Sequence, residues 1–154
     1  MVPIALPHND KVIYYAARWA SEAVQGDLDA VYETDEADGL YLDELFDLFE
    51  ESEALRHALS EGRFRQIKDP RFDAAPIEWA KRSGYNLYYL KMWRADGALL
   101  PVRLIYAVNH QPAQQAVWVL GLMPRGDDYD EHSEFAVRIR RDYDDHGIPR
   151  WRAQ

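Results

Sequence analysis

YNLYYLKMWRADGALLPVRLIYAVNHQPAQQAVWVLGLM, residues 85–123, holds three runs rich in aromatic and β-branched residues. Between the first and second lies Arg-Ala-Asp-Gly at 94–97, with Asp96-Gly97 as a hairpin signal. Between the second and third lies a longer loop, Asn-His-Gln-Pro-Ala-Gln at 109–114. Such runs, in sequence and separated by turns, predict an antiparallel meander over 85–123. Pro101 belongs near the start of its strand, where a missing N–H costs little. Alternation along the middle run assigns Val102, Leu104, Tyr106 and Val108 to one face. Arg103, Ile105 and Ala107 take the other.

Helices are expected on both sides of this meander in sequence. LYLDELFDLFEESEALRHALSEG, 40–62, carries Tyr41, Leu45, Leu48, Leu55 and Leu59 on one stripe, with Ser52 as its gap. Asp38 or Gly39 begins it and Gly62 ends it. DYDEHSEFAVRIRRDYDDHG, 128–147, repeats Phe135, Ile139 and Tyr143 at helical spacing, predicting a helix over 130–146 stopped by Gly147 and Pro149. Asp127, Asp128 and Asp130 stand at its N-terminal end, where the macrodipole favours negative charge. Near the start of the chain, 8–27 reads as a helix on Val12, Ala16, Trp19 and Ala23, ending at Gly26. The acidic run 27–39 reads as a connection. Phe64–Ile67 reads as a short strand and Pro76–Arg82 as one or two helical turns, with Pro70 and Pro76 barring a long element. The expected class is α+β: a small antiparallel meander packed with N-terminal helices and one C-terminal helix.

Composition narrows the functions. The chain has 154 residues, 47% hydrophobic and 13% aromatic, which suits one compact domain with a packed core. It has no cysteine, which excludes disulfides, thiolate metal sites and cysteine nucleophiles, and suits a reducing cytoplasm. No apolar run approaches the ~20 residues that span a bilayer, and the N-terminus lacks the basic start of a signal peptide. No membrane partner is expected, and the expected location is cytoplasmic. Charge is uneven: residues 1–62 hold 15 acidic against 3 basic residues, and residues 63–154 hold 12 against 15. The chain divides accordingly into an acidic helical part, 1–62, and a sheet-plus-helix part, 63–154. The acidic part is either a solubilising surface or a partner surface.

The five histidines, at 8, 57, 110, 132 and 146, show no metal-binding spacing. There is no glycine-rich phosphate loop and no nucleophile elbow. Neither metal nor cofactor is expected. What remains is a set of cations on the meander. Lys91 and Arg94 end its first strand, Arg103 lies inside the second, and Arg125 and Tyr129 follow the third in VWVLGLMPRGDDYD, 117–130. A mid-strand arginine must face solvent, a carboxylate or a bound anion. Arg125 and Tyr129 are either polar residues of a capped helix start or an anion site.

LYYLK, VRLIY and VWVLGLMPRGDDY, with the helix after them, resemble the RelE/ParE superfamily of toxin–antitoxin toxins. The resemblance runs over about 85–145. It implies a RelE/ParE-like fold and a toxin countered by an antitoxin protein, with RNA or the ribosome as target. It implies a metal-independent endoribonuclease site at Arg103, Arg125 and Tyr129, with Lys91 a further member. Superfamily members without the catalytic set act on other targets, so the fold alone leaves the activity open. The family opens with a strand followed by two helices and tends to be basic. This chain opens with a segment that reads as helix, and its net charge is -9. The alternative is a non-enzymatic interaction module whose acidic helix 40–61 binds a basic partner.

Overall fold

The computed structural model describes residues 1–4, 14–62, 64, 69–125 and 130–150. Its class is α+β, with a five-stranded mixed sheet between two helical layers. The strands are β1 (Ala16–Trp19), β2 (Phe72–Pro76), β3 (Leu87–Met92), β4 (Val102–Asn109) and β5 (Ala116–Pro124). The sheet order is β1-β5-β4-β3-β2. The β3–β4–β5 meander is antiparallel as expected, and β2 extends it antiparallel on one edge. On the other edge β1 runs parallel to β5, so the sheet is mixed where a purely antiparallel one was expected.

The turn at 94–97 closes as its residues demand. The Arg94 N–H donates to Ala98 O at 2.8 Å, the Gly97 N–H donates to Arg94 O at 2.9 Å, and Asp96 Oδ1 accepts from the Ala98 N–H at 2.9 Å. Gly97 sits at φ 86°, a conformation glycine takes without strain. Along β4 the predicted faces hold. Val102, Leu104, Tyr106 and Val108 join one core cluster, and Ile105 and Ala107 the other. A bulge interrupts β5 instead: Ile105 pairs with Gly121 but Tyr106 with Val119, leaving Leu120 extra.

Helices α1 (Ala23–Thr34), α2 (Glu36–Glu51) and α3 (Glu53–Ser60) contribute to the first core. The expected single helix over 40–61 is two. Ser52 adopts an extended conformation, φ -101° and ψ 105°, and its hydroxyl accepts from the Leu55 N–H at 3.1 Å. A serine at the gap of the apolar stripe thus becomes the N-cap of α3, and Leu45, Leu48, Leu55 and Leu59 are all buried. Ser52→Ala is expected to lower stability by about 0.5–2 kcal/mol, the usual cost of losing such a cap. Urea unfolding measures it. The first helix also begins earlier than expected, at Glu36, because Asp35 caps it by accepting from the Asp38 N–H.

Two further expectations are corrected. The segment 8–27 is not one helix: residues 5–13 lie outside the described residues, and Ala16–Trp19 is β1. Its backbone binds the outer edge of β5, with the Ala16 N–H on Gln115 O and the Ala20 N–H on Val119 O, both at 3.0 Å. That pairing overrides the helix preference of its alanines. The run 27–39 is not a connection but mostly helix, for α1 continues through Gly26 to Thr34 on the buried stripe Val24, Leu28 and Val31.

On the second face, α4 (Glu78–Arg82) and α5 (Glu134–Asp145) supply Trp79, Ala80, Ala136, Ile139 and Tyr143 to the second core. The expected turn at 76–82 is α4. The C-terminal helix starts at Glu134 and not at 130. Ser133 caps it, accepting from the Ala136 N–H at 3.1 Å. Of the three aspartates expected there, Asp127 and Asp128 lie outside the described residues, and Asp130 accepts from the His132 N–H. The expected strand at 64–67 falls largely on residues outside the description.

Candidate anion site on the second face of the sheet

Strand pairing brings two of the four candidate residues together. Leu90 pairs with Leu104, so Lys91 and Arg103 follow one another around the same end of β3 and β4. Tyr89 gathers them. The Arg103 guanidinium carbon lies 4.9 Å from the Tyr89 ring centroid and the Lys91 ammonium 5.7 Å from it. A cation over a tyrosine ring contributes about 0.5–1 kcal/mol at such sites. Arg103 is 7% exposed, while Tyr89 and Lys91 are half-buried. Arg103 therefore underlies the surface and Lys91 forms it. Asp73 of β2 pairs with Lys91 and is the neighbouring carboxylate in the register.

Arg125 adjoins the same end. Met123 pairs with Arg103 and Pro124 with Val102. The Arg125 N–H then donates to Pro101 O at 2.9 Å, and its side chain is exposed. That bond continues the β4–β5 register by one rung beyond Pro124, whose missing N–H lies on the outer edge of β5. Tyr129 lies outside the described residues. The N–H groups of α5, expected to reinforce an anion at Arg125, belong to a helix that begins only at Glu134 and is already capped by Ser133.

Arg94, grouped with Lys91 in the sequence, goes elsewhere. Its Nε donates to Asp38 Oδ1 at 2.6 Å, and Asp35 lies 3.4 Å from its Nη2. It joins the hairpin to the start of α2, on the face opposite Arg103. Arg94 thus meets the acidic helix α2. Sequence reasoning missed Tyr89. The available signal was its place two residues before Lys91, on the same face of one strand.

The described histidines are held singly. Tyr15 Oη and His110 Nδ1 are 2.7 Å apart, His57 lies 3.1 Å from Glu61, and His146 stacks on Trp118 at 4.3 Å. Among the described residues no three His, Asp or Glu side chains gather as metal ligands, and no helix is long and apolar enough to cross a membrane. Chemically, the end of the sheet offers an exposed guanidinium, a half-exposed ammonium and an aromatic face. Together these suit a phosphate with a base beside it. No family model, curated protein or solved structure matches the chain.

Proposed function

We propose that the chain is a RelE/ParE-like toxin of a toxin–antitoxin pair, and that Lys91 and Arg125 form its RNA-phosphate surface with Arg103 beneath it. The observation that carries this reading is the shared Tyr89 ring, which gathers Lys91 and Arg103 at the end of the sheet where Arg125 follows β5 with its side chain exposed. Element order supports it as well. The opening of the chain, a strand followed by helices, is the one the resemblance implies, with α3, β2 and α4 inserted before the meander and a final helix after it.

In an RNA-cleaving reaction the 2′-oxygen attacks phosphorus and the 5′-oxygen leaves. One group takes the 2′-proton and another returns a proton to the leaving oxygen. Arg125 and Lys91 would bear on the charged phosphoryl oxygens, where charge grows in the transition state. Arg103 would hold Tyr89 and Lys91 in position from beneath. Tyr129 enters only through the resemblance, as a proton-handling group. RNA and the ribosome make the cytoplasm the place of action.

Regulated expression in a bacterium tests the reading. Growth arrest is expected, and Arg125→Ala should abolish it while Arg141→Ala, an exposed arginine of α5, leaves it intact. No arrest, or arrest indifferent to Arg125, would remove the proposal.

A second reading has its own observation. Glu36, Asp43, Glu44, Asp47 and Glu51 are all exposed on α2. This acidic surface suits a basic protein partner, in which case the sheet is scaffold and expression is harmless.

A further inference from the structure

The outer edge of β5 is covered by β1 only from Ala116 to Val119. Past that point the edge is sealed by side chains. Asp27 of α1 accepts from the Leu122 N–H at 2.9 Å. Arg138 of α5 donates to Leu120 O at 3.2 Å and forms a two-pronged ion pair with Asp27, at 2.9 and 2.6 Å. Pro124 has no N–H to offer. Gly121 is needed where this clasp crosses the strand: a Cβ there would fall onto Arg138 Nη2 and lie 2.8 Å from Asp27 Oδ2. Past Val119 this edge of β5 therefore presents no open ladder on which another strand could add.

Beside the clasp lies a groove of about 290 Å³. Asp27, Ala30, Val31 and Thr34 form its α1 wall, a single face at i, i+3, i+4 and i+7. Val102, Leu122 and Phe135 are among the apolar residues across from it. Asp35 and Asp38, both paired with Arg94, also line it, and Glu33 and Glu36, both exposed, flank the wall in sequence. The groove belongs to the acidic part of the chain, where 15 acidic residues face 3 basic ones over 1–62.

We infer that this groove docks an amphipathic helix of a partner protein, with apolar residues on one stripe and lysines or arginines beside it. A strand is excluded by the sealed edge, because its backbone groups would find no partners. A helix satisfies its own backbone and needs only a place for side chains at i, i+3, i+4 and i+7. The apolar walls receive that stripe, and the exposed Glu33 and Glu36 beside them select basic flanks. The inference stands apart from the anion site, since Lys91, Arg103 and Arg125 do not line the groove.

Fluorescence anisotropy with three synthetic peptides on the full chain tests it. The first places leucines on one helical stripe with lysines elsewhere, the second replaces every lysine by glutamate, and the third scrambles the first so that no stripe forms. The leucine–lysine stripe peptide is expected to bind. Ala30→Trp, which fills the groove from an exposed position, should weaken it by about tenfold, equivalent to ~1.4 kcal/mol. Thr34→Tyr should act in the same direction. Glu51→Gln, on α2 and outside the groove, should change it by less than about twofold. Circular dichroism checks that each variant stays folded. Absence of binding, equal binding of the glutamate or scrambled peptide, or indifference to both groove variants would overturn the inference. So would self-association of the protein that Ala30→Trp disrupts, which would give the groove to a second copy.

Discussion

Arg56→Met is expected to destabilise the protein by about 2–5 kcal/mol, the cost of leaving buried carbonyls without the charged donor that serves them. Arg56 is 8% exposed. Its Nε donates to Tyr15 O at 2.6 Å, and its Nη1 donates to Phe49 O at 2.6 Å and Glu50 O at 2.9 Å. Phe49 and Glu50 belong to the last turn of α2, whose carbonyls have no partner within the helix and carry its negative dipole end. Tyr15 immediately precedes β1. One side chain on α3 thus joins the end of α2 to the start of the sheet's edge strand. Burial pulls the guanidinium pKa down, with Glu53 opposing, but not enough to discharge an arginine. Methionine fills similar volume and donates nothing. Arg56→Lys should fall between, keeping the charge but not the fork. Urea midpoints measure all three proteins. A midpoint for Arg56→Met equal to that of the unaltered chain would show that water replaces the arginine without loss.

Alkali should unfold the protein through its buried phenols. Burial pushes Tyr143 up to about 12 and Tyr106 well above its ordinary value. Tyr41 also rises to about 12, first through burial. In the unfolded chain these groups ionise near ~10. The folded state therefore holds its protons to higher pH than the unfolded state does. This contribution to stability is complete below pH ~10 and is lost as pH rises from ~10 towards the folded values. At ~1.4 kcal/mol per unit, Tyr143 alone accounts for about 3 kcal/mol. Tyr143 is fully buried, and its hydroxyl accepts from the Asn86 N–H and donates to Pro149 O. A phenolate absorbance titration followed beside circular dichroism should show two phases. In the first phase the fold stays intact, and the buried phenols ionise only as helix signal is lost. All 10 tyrosines ionising in one step with the fold intact would contradict it.

The central strands were legible because their signal is local. The alternation from Val102 to Val108 is written into β4, and the bulge that could have spoiled it lies at Leu120 on β5 instead. Ser52 was legible as a gap, though its capping role needed the chain to turn there. What was lost is what the partner element decides. Ala16–Trp19 has helical composition and becomes a strand because β5 has an open edge. Gly26 reads as a helix stop, but α1 passes through it because Val24, Leu28 and Val31 have a core to enter. The site divides the same way. Lys91 and Arg103 were legible as cations on the meander. Their meeting on Tyr89, and Arg94's departure to Asp38, depend on pairing and hairpin geometry that spacing alone does not encode.

The most direct measurement is the titration of the protein with a short labelled RNA at low salt, repeated at increasing salt. Binding is expected, with log K falling linearly against log salt. Lys91→Ala and Arg125→Ala should each weaken binding and reduce that slope by about 1, as the loss of one phosphate contact requires. No binding, or binding that neither substitution changes, would contradict an RNA-phosphate surface at the end of the sheet.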